Sequence, residues 1–83
     1  MVESFSVLRL RVLAEADSGA LMRTLERFQN LGVSPRRVIA EFTTADTMAI
    51  QVDVAGLEES RLTLIANKLG QVPCVLRAYW HYA

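Results

Sequence analysis

Few residue types in this 83-residue chain could do chemistry, and they are scattered: His81 is the only histidine and Cys74 the only cysteine. A protein zinc site needs three or four converging nitrogen, sulfur or oxygen donors. On one strand Cys74 and His81 would leave on opposite sides, so they do not begin such a site. One histidine offers no Ser/His/Asp or Cys/His arrangement either, and His81 is expected to be exposed or to serve packing. Tyr79-Trp80-His81-Tyr82 could stack unpaired bases. RNA readers built on a four-stranded sheet also carry a basic-aromatic stretch on the third strand. Here that strand reads Met48-Ala49-Ile50-Gln51-Val52, with neither, so the aromatic run is expected to pack or to form an interface. Arg9 and Arg11 leave one strand face, and Asp53 and Gln51 can lie opposite them. Such cross-strand pairing on a solvated face is worth less than about 1 kcal/mol per pair and is preferred to an anion site. Ser18-Gly19 is the remaining candidate. A strand that ends in glycine directly before a helix presents amides at the positive end of the helix dipole, where a carboxylate or phosphate can sit.

The elements that hold these residues follow from periodicity. Phe5 to Val12 alternate, with Ser6, Leu8, Leu10 and Val12 on one side and Phe5, Val7, Arg9 and Arg11 on the other, which predicts a strand. Glu15-Ala16-Asp17-Ser18-Gly19 is a turn whose Asp17 or Ser18 can cap a helix. That helix is predicted over 19–31, with Leu21, Leu25 and Phe28 as its apolar stripe. Gly32 stands where a left-handed cap belongs, and Pro35 prevents resumption. A second strand is expected over 37–43, with Val38, Ala40 and Phe42 on one face. Thr44-Ala45-Asp46 makes a short hairpin connection without the Asn-Gly of the tightest turns. In the third strand Met48, Ile50, Val52 and Val54 alternate with Thr47, Ala49, Gln51 and Asp53, and Gly56 ends it. A second helix over 58–69 places Leu62, Ile65, Ala66 and Leu69 on its stripe, with Gly70 closing. Leu64 falls off that stripe, as a surface leucine or an interface contact. After Pro73 a last strand covers 75–82. The order is βαββαβ, and each helix has one apolar stripe. The expected fold is therefore α+β and ferredoxin-like: a four-stranded antiparallel sheet of order 4-1-3-2 with both helices on one face.

Composition bounds the function. Residues 1–83 make room for a single domain, and one this short buries a modest share of its surface. Hydrophobic residues make up 52% of the chain, so completion by a second copy is the first structural expectation. One cysteine allows no disulfide framework and fits a reducing cytosol. Nine basic and nine acidic residues cancel, and the longest basic run is Arg36-Arg37, so nucleic acid is not expected as a partner. No apolar run approaches the roughly 18–20 residues that cross a bilayer. The start, Met1-Val2-Glu3-Ser4, is acidic where a signal peptide is basic. A cytoplasmic protein is expected, with no catalytic residue, no metal and no cofactor.

Ala14-Glu15-Ala16-Asp17-Ser18-Gly19-Ala20-Leu21-Met22-Arg23 resembles the D-x-P-G-x-L-x-R strand-loop-helix motif of ACT domains. It is most similar to the E-N-x-x-G-x-L-x-R of acetolactate synthase small subunits, and Leu25, Phe28 and Gly32 continue the match. Lys68-Leu69-Gly70-Gln71-Val72-Pro73-Cys74-Val75-Leu76-Arg77 is similar to the family's Q-L-x-K-L-x-D-V-x-x-V stretch entering strand four. The resemblance implies a regulatory domain and a homodimer. In ACT domains two copies pair sheet to sheet, and an effector amino acid sits between the Gly loop of one copy and strand two of the other. By position, Asp17, Ser18, Gly19 and Ala20 would form the loop, and Ser34 and Pro35 would come from the partner chain. The branch implies a branched-chain effector, typically valine, and a thiamine-dependent synthase catalytic subunit as partner.

Two departures bear on the effector. The loop Asn of that branch falls on Ala16, and its G-x-N-I segment reads Gly32-Val33-Ser34-Pro35, where proline removes an amide. Losing a charge-assisted contact to a buried ligand costs on the order of 1.5–3 kcal/mol. Two readings therefore stand side by side: a regulatory subunit of a branched-chain biosynthetic enzyme, and a stand-alone ACT-like homodimer that senses another molecule or serves only for interaction.

Overall fold

The computed structural model describes residues 7–16 and 18–83. Six elements follow one another: β1 (Val7–Glu15), α1 (Ser18–Asn30), β2 (Arg37–Phe42), β3 (Thr47–Ala55), α2 (Glu59–Leu69) and β4 (Val75–Tyr82). All pairings are antiparallel, in the order β2-β3-β1-β4, which is the expected 4-1-3-2 read from the other edge. Strand β1 shows why the alternation was legible. Leu8, Leu10, Val12 and Ala14 are buried, and the residues between them are half-buried. The buried residues of β1 and β3 join Phe28 of α1 and Leu62, Ile65, Ala66 and Leu69 of α2 in one core, so both helices lie on the same face.

Helix α1 is rotated from the expected stripe. Ala20, Thr24 and Phe28 are the buried positions, and Leu21 and Leu25 pack only at the margin of the core. Small side chains at 20 and 24 let the helix backbone approach the sheet. The Thr24 hydroxyl loses nothing by burial, since it donates to the Ala20 carbonyl at 2.9 Å. The helix stops as expected. Gly32 adopts φ +69°, its N–H donates to the Gln29 carbonyl at 2.9 Å, and the Val33 N–H donates to the Phe28 carbonyl at 3.0 Å. These two bonds form the left-handed Schellman closure, with Val33 packed against the core beside Phe28. Gly70 ends α2 differently, in the right-handed region at φ −62°.

Strand β2 departs from the expectation that every strand buries its apolar face. Val38 and Phe42 pair with Val52 and Met48 on the helix side, yet they remain 40% and 66% exposed. The helix layer covers β1, β3 and β4 and stops short of this edge. The β2–β3 hairpin closes through hydroxyls in place of Asn-Gly: the Thr44 hydroxyl accepts the N–H groups of Asp46 and Thr47, each at 3.1 Å. On β4 the helix-side aromatics fasten α2 to the sheet. The Trp80 indole N–H donates to the Thr63 hydroxyl at 2.8 Å, and the Tyr82 hydroxyl donates to Glu59. Leu64 stays exposed on α2.

Candidate functional site

The six site residues expected from sequence fall into two groups. Ser18 opens α1, and Gly19 and Ala20 lie in its first turn; Asp17 lies outside the described residues. The chain entering this turn is tied down twice. The Glu15 N–H donates to the Cys74 carbonyl, and the Ala16 N–H donates to the Asp46 carbonyl, both at 2.8 Å. Ala20 points into the core at 1% exposure, so only its backbone can face a ligand. Described residues of the first turn include no acidic side chain to offset the positive end of the helix dipole.

Ser34 and Pro35 lie beyond the other end of α1. With Leu25, Gln29, Gly32, Val33 and Val38 they line an open recess of about 510 Å³ between the α1 exit and the β2 edge. The 13 residues of α1 rise about 20 Å, so one chain does not bring the two groups together. A ligand touching both would have to lie between two chains.

On the helix-free face the strand registers set side chains in three rows that cross the sheet from β2 to β4. They read Glu41–Ala49–Leu13–Arg77, Ile39–Gln51–Arg11–Tyr79 and Arg37–Asp53–Arg9–His81. In the third row Arg9 grips Asp53 with two bonds, Nε to Oδ1 at 2.8 Å and Nη2 to Oδ2 at 3.1 Å. The expected solvated pair is thus half sunk, with the Asp53 side chain 8% exposed. Hydrogen bonding from Arg9 holds the Asp53 carboxyl below the usual carboxylate range, against desolvation that raises it, and the carboxylate in turn raises the Arg9 guanidinium. His81 is half-buried in this row. The Arg11 Nε–H donates to its Nε2 at 3.2 Å, and its Nδ1 lies 2.8 Å from the Tyr82 carbonyl. The first two rows surround a shallow apolar depression of about 250 Å³, floored by Leu13, Ile39 and Ala49.

Sequence reading found the Arg9/Arg11 and Asp53/Gln51 opposition but not the convergence of Glu41, Ile39, Arg77 and Tyr79 on the same face. Their alternation was visible, but the register that aligns them was not. Among the described residues no group of three or more His, Cys, Asp or Glu is placed to hold a metal ion. Nor is any described helix long and apolar enough to cross a membrane.

Comparison with solved structures supports the topology. The chain is similar to the C-terminal domain of the MgtC protein from Mycobacterium tuberculosis, at TM-score 0.81 and 14% identity, covering 100% of this chain and 93% of that one. It is also similar to the ACT domain from GTP pyrophosphokinase of Chlorobium tepidum, at TM-score 0.76 and 13% identity, over 94% and 100%. An uncharacterised protein from Thermotoga maritima superposes at TM-score 0.71 and 15% identity, over 95% and 98%. At these identities the likeness is one of fold. No significant match was found among curated protein sequences. The ACT-like domain family model matches residues 3–83, nearly the whole length over which the βαββαβ order runs, and the chain belongs to the ACT-like domain family.

Proposed function

We propose that residues 1–83 act as one regulatory ACT-like domain, which binds a small amino-acid effector between two copies of itself and transmits occupancy to a larger catalytic partner. The observation that carries this reading is the recess at Ser34 and Pro35, open beside an edge strand whose Val38 and Phe42 are uncovered. Edge strands are normally covered or blunted, and among the described residues neither the helix layer nor another strand covers the outer edge of β2. A second chain continuing the sheet alongside β2 would cover Val38 and Phe42. It would also bring its own α1 entry, Asp17 to Ala20, toward the recess. The first-turn amides would then receive the effector carboxylate, while Leu25, Val33 and Val38 suit a branched aliphatic side chain such as that of valine. The resemblance of Ala14–Arg23 to acetolactate synthase small subunits points to a thiamine-dependent synthase as the partner, in the cytoplasm.

A second reading rests on Ala16 and Pro35. With the loop asparagine and one amide gone, the domain would be a stand-alone homodimer without an amino-acid site. Thermal unfolding with valine, leucine and isoleucine separates the two. An effector at ~100 times its Kd adds about 2.7 kcal/mol, or more than about 10 °C for a domain of this size. A flat response to every amino acid removes the effector and leaves the second reading. Capture of a thiamine-dependent synthase by the tagged chain supports the regulatory partner, and failure to bind any such synthase refutes it.

A further inference from the structure

We propose that the helix-free faces of two copies stack on each other about a two-fold axis that runs along the strands between β1 and β3. This interface is independent of the β2-edge pairing above, which continues the sheet sideways and leaves its faces open.

The three rows carry the argument. A two-fold axis along the strands maps each row onto itself with its order reversed. Strand β2 of one copy then lies over β4 of the other, and β3 lies over β1. In the first row Glu41 meets the partner's Arg77 twice over, and Ala49 meets Leu13. In the second row Ile39 meets Tyr79, and Gln51 meets Arg11. In the third row Asp53 meets Arg9, extending a carboxylate–guanidinium pair already present within each chain, and Arg37 meets His81. Every opposition in the first two rows is opposite in charge, apolar on apolar, or hydrogen-bonding. The other face-to-face axis, across the strands, exchanges the first row with the third. It pairs Glu41 with Arg37 but sets Arg11 against Arg11, like charge on like. It also covers the Arg9–Asp53 pair with Leu13 and Ala49, which strips water from charged groups and adds no polar contact to them.

Exposure agrees with this assignment. Glu41 and Arg77 are both exposed and have no ion-pair partner among the described residues. The Arg77 guanidinium lies 4.6 Å from the Tyr79 ring centroid, which holds its charge at the rim of the depression. Aligned sheets stack about 10 Å apart, a gap that facing side chains fill. The face spans roughly 19 by 17 Å from strand spacing and rise, a small footprint, so association is expected to be concentration-dependent.

Sedimentation equilibrium of the full chain across roughly 1 µM to 1 mM protomer tests the interface. Glu41→Arg and Arg77→Glu, each confirmed folded by circular dichroism, should weaken association at least about tenfold, because each places two like-charge pairs at the rim. The double variant E41R/R77E should restore it to within about threefold of wild type by re-forming both pairs. Tyr79→Glu, on β4 away from the β2 edge and facing Ile39, supplies an independent disruption. The proposal is overturned if wild type stays monomeric throughout. It is equally overturned if Arg77→Glu, on β4 at the opposite edge from β2, leaves the assembly unchanged, the result expected when only the β2 edge pairs. Rescue of E41R by Arg37→Glu in place of Arg77→Glu would select the other axis and also overturn it.

Discussion

Two glycines at helix ends should respond to the same substitution with opposite sign. Gly32 has φ +69°, and a Cβ added there meets nothing within 4 Å, so Gly32→Ala changes only backbone conformational energy. An L-residue in the left-handed region costs about 1–2 kcal/mol. The lower chain entropy of the unfolded alanine variant returns about 0.4–1 kcal/mol, leaving a net loss near 1 kcal/mol. Gly70 has φ −62°, and a Cβ there would lie 3.5 Å from the Ala66 and Asn67 carbonyl oxygens, an ordinary contact. Gly70→Ala should therefore stabilise by about 0.4–1 kcal/mol. With about 4–8 °C per kcal/mol for a domain of this size, the two variants should melt on either side of wild type. Gly32→Asn should lose less than Gly32→Ala, since asparagine tolerates the left-handed cap. Urea and thermal unfolding at one fixed protomer concentration is the assay, because the proposed self-association would make the midpoint concentration-dependent. A Gly32→Ala variant as stable as wild type, or Gly70→Ala falling below Gly32→Ala, would refute the reasoning.

Asp53 ties stability to pH. Its carboxyl is held below the ordinary value of about 3.9, so between the two pKa values the unfolded chain binds more protons than the folded one. The stabilisation is complete above about pH 5 and is lost as pH falls through the folded pKa. Urea midpoints at pH 7 and pH 3 should therefore differ less for Asp53→Asn than for wild type, and equal differences would remove the linkage. Phe28, fully buried beneath the sheet, should lose about 3–5 kcal/mol as Phe28→Ala. That is a large part of a small domain's total, and a loss below about 1 kcal/mol in denaturant titration would mean that α1 does not anchor the core as described.

Periodicity alone determined most of the fold. Period-two alternation in β1 and β3, helical stripes, and Gly32 with Pro35 behind it each concern interactions within a few residues, which a linear chain displays. The topology followed because amphipathic helices must share the one apolar face of a sheet and crossovers are right-handed. What depended on distant neighbours was decided only by tertiary structure. The stripe of α1 rotated onto Ala20 and Thr24 because close approach to the sheet rewards small side chains, while a sequence pattern weighs large ones. Val38 and Phe42 stayed exposed because the reach of the helix layer, not the alternation of β2, sets burial there. The Arg9–Asp53 pair sank below the surface, and Glu41, Ile39, Arg77 and Tyr79 gathered on one face, because strand register fixes which residues lie opposite. Register is a relation between strands, settled when the whole sheet assembles, so no single strand's sequence contains it.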